Sequence, residues 1–201
     1  MSEKKGVFIL DVSKKAERTK ELIDACLDCF VKKGLTSTTS RDLCAAGDLQ
    51  YGGIYYYFAT KEEIVLACAE EAINRIEKSA FNVVLEDENY VTDMTEHLGA
   101  LADKMSPIMR FLVSVCVSPE YGEKVKPFLV KLAGRYPHYT RKIAEIIGCT
   151  KEEVEPYVHL SILAMNNYMI FNERALFLPQ MEAAKKGLMM LASKKRKETK
   201  T

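Results

Sequence analysis

The sequence predicts an all-α protein, and three observations lead to that expectation. Almost every apolar pattern along the 201 residues repeats with helical spacing. The only candidate for a β-strand is GVFIL at residues 6–10. Proline or glycine stands at positions 107, 119, 148 and 179, where periodic stretches end or begin. We therefore expect helices throughout the chain.

The first predicted helix covers residues 14–33. Leu22, Cys26 and Phe30 lie on one apolar stripe along it. Gly34 follows, and glycine is the residue that most often stands just past the end of a helix. The stripe indicates that one face of this helix is buried.

Two capping boxes predict where the next helices begin. Thr39 with Asp42 opens a short helix that ends near residue 47. Thr60 with Glu63 opens a long helix that persists to residue 82, a length of roughly 30 Å at the usual helical rise. Between these two helices, residues 51–58 are expected to form a third, short helix.

Beyond a polar break at residues 85–90, the sequence predicts four or five longer helices. They cover residues 92–105, 107–117, 120–147, 151–173 and 179–195. Pro127 and Pro137 fall inside the third of these helices, so a kink or a split is expected there. Thr150 with Glu153 caps the fourth.

The composition excludes several classes of protein. With 29 basic and 28 acidic residues the net charge is +1, so a DNA-binding role would need a local basic patch. No apolar run approaches the roughly 18 residues that a membrane span requires, and the first residues lack a signal-peptide pattern. The six cysteines are spread along the chain, which favours free thiols in a reducing cytoplasm.

Residues 14–58 show three helices with short connections, the pattern of a helix-turn-helix whose last helix enters the DNA major groove. Two segments carry a more specific signal: ELIDACLDCFVKKGLTSTTSRDLCAAG, and then GGIYYYFATKEEI. On these segments, residues 19–71 resemble the DNA-binding domain of the TetR family of transcriptional repressors. Asp48 stands where the family commonly has glycine, and aspartate tolerates the left-handed conformation that such a turn needs.

The resemblance implies roles for the tyrosine-rich segment. Ile54 and Phe58 would pack inward together with much of Tyr57. Tyr55 and Tyr56 would meet phosphates, and Tyr51 would reach a base edge or a thymine methyl group. Two glycines would allow close approach of the backbone, and the start of the long helix would hold a phosphate. The implied DNA-binding set is Thr39, Arg41, Gln50, Tyr51, Gly52, Gly53, Tyr55, Tyr56 and Lys61.

The resemblance also implies a homodimeric repressor with two domains. Residues 1–60 would form the DNA-binding domain, residues 60–82 a linking helix, and residues 83–201 an effector-binding and dimerisation domain. A small, partly apolar effector would release the dimer from a palindromic DNA operator, through linkage between the two binding sites. Such a regulator is expected in the cytoplasm.

Residues 157–171 are too apolar for a surface helix, and residues 179–192 carry a second apolar stripe with small residues, so we expect both to form the dimer interface. The predicted interface consists of Leu160, Leu163, Ile170, Phe171, Met181, Ala184, Leu188 and Leu191. Soft apolar side chains on one helix and polar side chains on another suggest an effector pocket. Its predicted lining is Met105, Met109, Phe111, Leu112, Cys116, Asn166, Asn167 and Tyr168.

Nothing in the sequence indicates an enzyme, a cofactor or a metal site. No nucleophile–base pair, phosphate-cradling loop or carboxylate dyad has a recognisable spacing. Cys26 and Cys29 resemble half of a metal site, but no second pair and no histidine cluster follows them. Two alternative functions stay open: a helical protein–protein adaptor, and a redox-sensing regulator that acts through cysteine.

Overall fold

The computed structural model describes the backbone of residues 2–86 and 90–198, and the side chains of residues 13–79 and 91–195. Every regular element in that part of the chain is a helix, which confirms the predicted all-α class. The elements are α1 (Ser2–Lys33), α2 (Ser40–Ala46), a 3₁₀ helix (Gly53–Tyr56), α3 (Lys61–Glu86), α4 (Tyr90–Cys116), α5 (Gly122–Ala133), α6 (Tyr136–Ile147), α7 (Lys151–Phe171) and α8 (Arg174–Glu198). The strand candidate GVFIL is helical, because it lies within α1.

The chain forms two compact units. Unit 1 comprises Met1–Ala72 together with Ser114–Lys126, and unit 2 comprises Ile73–Val113 together with Pro127–Thr201. Helix α3 begins in unit 1 and continues into unit 2. The segment 114–126 therefore joins the first unit although it lies far from it along the chain.

The core of unit 1 is built by the stripe that the sequence predicts on α1. Leu22, Leu27 and Phe30 are buried there, and Leu43 of α2 and Ile64 of α3 are buried with no exposed surface. Burying one such aliphatic side chain contributes about 1.5–3 kcal/mol relative to leaving it in water. This apolar contact fixes the short helix α2 against the long helix α1.

Caps and a left-handed residue determine where α1 and α2 end and begin. Gly34 has φ +87°, a backbone conformation that glycine adopts without strain, and its N–H donates to the Phe30 carbonyl over 2.8 Å. The Thr39 capping box is present in full, since Asp42 N–H donates to Thr39 Oγ1 and Thr39 N–H donates to Asp42 Oδ2. Asp48 has φ +51°, which confirms that aspartate holds the left-handed turn position here.

The cap at the start of α3 differs in one detail from the expected box. Glu63 N–H donates to Thr60 Oγ1 over 3.1 Å, as predicted. The Glu63 carboxylate, however, accepts from the N–H of Ala59 over 2.6 Å. The reciprocal bond therefore reaches one residue further back than in the usual box.

The third helix is shorter than the predicted range of residues 51–58, and it is a 3₁₀ helix at Gly53–Tyr56. Gly52 precedes it with φ +85°, and this left-handed residue prevents the helix from starting earlier. The N–H of Tyr55 donates to Gly52 and the N–H of Tyr57 donates to Ile54, the three-residue spacing of a 3₁₀ turn.

In unit 2 the prolines interrupt the helices less than the sequence predicts. Helix α4 continues through Pro107, and α8 begins before Pro179, so the predicted helix boundaries at these two residues are wrong. Pro179 is the sixth residue of α8, where a missing N–H removes a single bond near the helix start. The split expected near Pro137 is confirmed, because α5 ends at Ala133 and α6 begins at Tyr136.

Helices α4, α7 and α8 share one apolar core in unit 2. Its members include Met94, Leu98, Met169 and Phe177, each buried. A Cβ atom added to Gly187 would lie 2.0 Å from the Tyr157 ring, so α7 and α8 pack at a point where no larger residue fits.

A polar contact joins α4 to α7 within unit 2. The hydroxyl of Tyr168 donates to Asp103 Oδ1 over 2.6 Å, and its ring stacks on Phe177 at 4.8 Å. Arg174 lies 3.9 Å from the other oxygen of Asp103. The bond to Asp103 raises the pKa of Tyr168, and burial adds to the effect. Tyr168 is therefore held in place from two sides.

Candidate nucleic-acid interface and ligand cavity

The three consecutive tyrosines of the 3₁₀ segment separate as the sequence predicts. Ile54 and Phe58 are buried in unit 1, and Tyr57 is half-buried. Tyr55 and Tyr56 are exposed, with 43% and 70% of their surface accessible. The short helix thus presents two aromatic side chains to solvent while it buries the residues on either side of them.

Each exposed tyrosine of this region has a partner. The Tyr55 hydroxyl lies 2.7 Å from the Ser40 hydroxyl at the start of α2. The Lys15 ammonium lies 4.3 Å from the centre of the Tyr56 ring, within the range of a cation–π contact. These contacts restrict both rings and keep a positive charge beside one of them.

Tyr51 is the most exposed of these rings, with 77% of its surface accessible. The Arg41 guanidinium lies 5.4 Å from its centre. Arg41 itself is exposed on α2, so this pair adds a second cation beside an aromatic ring. The predicted candidates Thr39, Gln50 and Gly52 are exposed in the same unit.

Lys61, predicted to hold a phosphate, already has a protein partner. Its ammonium donates to the carbonyl oxygen of Thr38 over 2.6 Å, and Thr38 is buried. A lysine ammonium has three donors, so two remain for another acceptor. The bond ties the first residue of α3 to the segment before α2.

Gly53 is constrained from inside the protein. A Cβ atom there would lie 3.3 Å from the Cβ of Leu49, tighter than ordinary contact. Of the two glycines, Gly52 is therefore the one with open space beside its backbone for DNA, because an added Cβ atom there would meet nothing within 4 Å.

Sequence reasoning missed Lys15 and Ser40 as members of this surface. Both lie next to predicted features: Lys15 belongs to the Lys14–Lys15 pair at the start of the first predicted helix, and Ser40 follows the Thr39 cap. The Lys14–Lys15 pair is the sequence signal that could have indicated Lys15 as part of a basic surface. The contact of Ser40 with a tyrosine fifteen residues away has no local sequence pattern.

Two further charged residues of unit 1 hold its helices together. Arg18 pairs with Glu21 at 2.7 Å and donates to the carbonyl of Gly47 over 2.6 Å. Lys33 lies 2.5 Å from Asp42, and this bond, with the cap bonds from Thr39, holds the pKa of the Asp42 carboxyl well below its usual range. Both links connect α1 to the region of α2.

Unit 2 contains a cavity of about 100 Å³. The space holds several water molecules or a compact organic molecule. Residues from five helices, α3, α4, α5, α6 and α7, line it. They are Ile76, Glu77, Leu98, Leu132, Tyr136, Tyr139, Ile143, Val158, Ser161, Ile162, Met165, Asn166 and Met169.

The predicted pocket lining shares only Asn166 with this cavity, and the effector site stays a prediction. Tyr168 lies on the same helix, but its hydroxyl is bound to Asp103. The remaining predicted lining residues, none of which faces the cavity, are Met105, Met109, Phe111, Leu112, Cys116 and Asn167. Their soft apolar character is explained for Met105, Phe111 and Leu112 by burial in the packed interior.

The predicted interface residues also divide into two groups. Met181, Ala184 and Leu188 have at most 1% of their surface exposed, because they belong to the chain's own core. They cannot contact a partner, and that part of the prediction is corrected. Leu160, Ile170 and Leu191 are half-buried. The exposed large apolar residues of α7 and α8 are Leu163, Phe171, Leu176, Leu178, Met189 and Met190.

Cys26, Cys29, Cys44 and Cys116 are free thiols. Cys26 is fully buried, and burial raises its pKa to about 12, so it stays protonated at neutral pH. Burial also raises the pKa of Cys29 and Cys116. Reactive thiols need the opposite, an exposed site and a lowered pKa. These three sites therefore give no support to a redox sensor.

The described residues contain neither a cluster for a metal ion nor a helix suited to a membrane. No group of three His, Cys, Asp or Glu side chains is placed to hold a metal ion. No described helix has both the length and the apolar character needed to cross a membrane.

Comparison with known proteins connects unit 1 to a family of regulators. Residues 22–68 match the family model of the bacterial regulatory proteins of the tetR family. The chain is 27% identical over 187 residues to an uncharacterised HTH-type transcriptional regulator, YfiR of Bacillus subtilis (strain 168), with 87% of both chains covered. It is 38% identical over 55 residues to the HTH-type transcriptional repressor KstR2 of Rhodococcus jostii (strain RHA1), with 27% of both covered.

Two solved structures share the fold at low sequence identity. The multidrug binding protein EbrR, complexed with imidazole, superimposes with a TM-score of 0.57 at 16% identity, over 87% of this chain and 94% of that one. A putative TetR-family transcriptional regulator from Mesorhizobium loti superimposes with a TM-score of 0.53 at 14% identity, over 88% and 97%. The similarity extends through both units, and it confirms a helix-turn-helix domain followed by a larger helical domain.

Proposed function

Because the chain belongs to the TetR family of transcriptional regulators, we propose that it is a ligand-responsive repressor. It binds a palindromic DNA operator as a homodimer and leaves the operator when a small, partly apolar effector fills the cavity of unit 2. The observation that carries this proposal is the exposed aromatic and basic surface around Tyr51, Tyr55 and Tyr56. A DNA operator as partner implies a cytoplasmic location.

In this proposal the tyrosines of unit 1 position the protein on DNA. Tyr55 and Tyr56 donate hydroxyl hydrogens to phosphates, and Lys15 and Lys61 add positive charge. Such contacts fix register and orientation without reading sequence. Tyr51, with Arg41 beside it, reaches into the major groove and contacts base edges or a thymine methyl group.

The homodimer rests on the exposed apolar residues of α7 and α8. Leu163, Phe171 and Met190 each leave more than half of their surface in water. Exposed apolar residues concentrated on two neighbouring helices are typical of an interaction site. A second copy of the chain is the occupant we propose, because a two-fold interface uses the same patch from both subunits.

Helix α3 is the element through which effector and operator binding are coupled. Lys61 is its first residue, and Ile76 and Glu77 line the cavity. The fifteen-residue interval from Lys61 to Ile76 corresponds to roughly 22 Å of α-helix. An effector that prefers a different position of α3 thereby weakens operator binding, and the operator weakens effector binding by the same factor.

Selection of bound duplexes from a random DNA pool tests the proposal. We expect enrichment of a two-fold symmetric sequence whose half-sites lie about one helical turn apart, or a multiple of it. A matched control replaces both Arg41 and Tyr51 by alanine, and this variant should enrich no base pattern while its helical content is unchanged. A pool without enrichment contradicts DNA binding, and a single unrepeated half-site contradicts the dimer.

A further inference from the structure

The cavity of unit 2 has an unusual balance of charge. Among the residues that the structure describes, its walls are apolar or aromatic apart from Ser161, Asn166 and one charged side chain, Glu77. None of these described lining residues is a lysine, an arginine or a histidine. The charge that these walls present to a ligand is therefore that of a carboxylate, which attracts a cation and repels an anion.

The partner of Glu77 lies outside the cavity. Arg135 forms an ion pair with the carboxylate, but it does not line the cavity, and about half of its side chain is exposed to water. Only 14% of the Glu77 side chain is exposed. Arg135 can return to full hydration at low cost, whereas a largely buried carboxylate needs a positive partner. A ligand cation can therefore take the place of Arg135.

Glu77 and Tyr139 also form the boundary between the cavity and the surface. Both line the cavity, and both line an open cleft together with Asn74, Lys78, Arg135 and His138. A molecule that enters from this cleft passes the Glu77–Arg135 pair first. The exchange of partners on Glu77 would then occur at the entrance.

The other walls of the cavity suit a flat, polarisable cation. Tyr136 and Tyr139 supply aromatic rings, and Met165 and Met169 supply thioether sulfur atoms. The Ser161 hydroxyl donates to the Val158 carbonyl over 2.8 Å, so the oxygen itself is left as an acceptor for a ligand N–H. The size of the cavity corresponds to about one aromatic ring.

We infer that the effector is a small aromatic cation, of the amidinium or ammonium class, whose charge pairs with Glu77 in place of Arg135. The regulatory role of this ligand rests on the function proposed above. The cation site itself depends only on the residues of unit 2.

Three planar probes of the same size and different charge test this inference. Benzamidinium is a cation, benzamide is neutral and benzoate is an anion, and each has one ring and one three-atom substituent. Binding to the full-length protein without DNA is measured by titration calorimetry. We expect benzamidinium to bind about tenfold more tightly than benzamide, as for a charge-assisted hydrogen bond, and benzoate not to bind.

Two substitutions give opposite expected results. Glu77→Gln should remove the preference for benzamidinium over benzamide. Arg135→Gln removes the internal competitor, so it should strengthen benzamidinium binding several-fold and leave benzamide unchanged. A merely structural ion pair would not produce that gain. Glu145→Gln, which removes an exposed carboxylate of α6 paired with Lys142, is the control and should change neither probe.

Equal binding of the three probes, no binding of any probe, or benzoate binding that depends on Arg135 would overturn the inference. The operator complex separates this result from the proposed function. If benzamidinium binds in the expected pattern but does not release operator DNA, the cation site stands and effector control fails. If the protein selects no DNA, the calorimetric result on the cation site still holds by itself.

Discussion

Two surfaces of the described chain each expose several large apolar or aromatic side chains, and the two differ in their neighbours. In unit 1, Tyr51, Tyr55 and Tyr56 are each in contact with a polar or cationic side chain. In unit 2, the exposed side chains are aliphatic, thioether or phenyl groups such as Leu163, Met190 and Phe171.

The difference indicates two different partners. A tyrosine with a hydroxyl in water and a cation near its ring suits a charged, hydrated partner such as the DNA backbone. A leucine or phenylalanine in water gains free energy only when another apolar surface covers it. Exposure alone therefore does not identify an interface; the chemistry of the neighbours does.

The largest expected effect comes from placing the same charge on the core and on the exposed surface of unit 2. Leu188→Glu buries an unpaired carboxylate and should lower the free energy of unfolding by several kcal/mol. Leu163→Glu places that carboxylate where 55% of the side chain is exposed, and the monomer should stay folded. Chemical denaturation with sedimentation measures both effects.

Leu163→Glu should instead dissociate the dimer and reduce operator affinity by about a hundredfold or more, because two linked contacts become one. If Leu163→Glu is as dimeric as the unchanged protein and binds the operator equally well, α7 does not contribute to the interface.

Tyr51→Ala should change which base is preferred at one position of each half-site. It should also weaken binding to the preferred operator by about 1–2 kcal/mol, since one base contact is lost. The measurement is a repeated selection from the random pool. Tyr56→Ala is the matched control, because it removes a similarly exposed tyrosine and should weaken binding without altering the base pattern.

Lys61→Ala and Tyr55→Phe should each weaken operator binding by about 1 kcal/mol, with a similar effect on all sequences. Lys61→Ala should also reduce the slope of log affinity against log salt by about one, and Tyr55→Phe should not. Fluorescence anisotropy over a range of salt concentrations measures both. Lys20→Ala, an exposed lysine on α1, provides a comparison. Unchanged salt slopes would place Lys61 away from the phosphates.

The smallest expected effect concerns acid stability in unit 1. The folded pKa of Asp42 is depressed by its bond to Lys33 and by the Thr39 cap, so its contribution is present above the unfolded pKa of about 3.9. It is lost as pH falls below that value. Asp42→Asn should therefore be less stable than the unchanged protein at neutral pH, with a difference that shrinks in acid. Urea titrations between pH 2 and about 7 measure it.

Lys33→Gln removes the largest cause of the shift and should give a similar, weaker trend. A stability difference that does not depend on pH would mean that the carboxylate's charge has no part in it.

The sequence predicts unit 1 in more detail than unit 2, for physical reasons. Thr39 and Thr60 form caps with residues three positions later, and such local bonds leave a pattern that can be read without the fold. Asp48 and Gly34 likewise have backbone conformations that their residue types favour.

The cavity could not be predicted because its walls come from five helices. Glu77 and Arg135 are fifty-eight residues apart, and no local pattern pairs them. The apolar residues of α8 misled the interface prediction for a related reason. Leu188 and Met190 are both apolar, but only the packing of α7 determines that Leu188 is buried and Met190 is not.

The distribution of proline has a consequence for how the two units fluctuate. All six prolines lie at or beyond residue 107, and five of them fall in unit 2. Pro107, inside α4, leaves the helix without the backbone bond that its N–H would have made to Asp103. Helices α1, α2 and α3 contain no such gap.

Amide hydrogen exchange reports such local opening. A helix that lacks one backbone hydrogen bond opens in shorter segments than an uninterrupted helix. Amides of α4, α7 and α8 beside their prolines should therefore exchange by local opening, well before the core of α1 does. Unit 2, which contains the cavity, can then open locally on a timescale on which the helices of unit 1 stay folded.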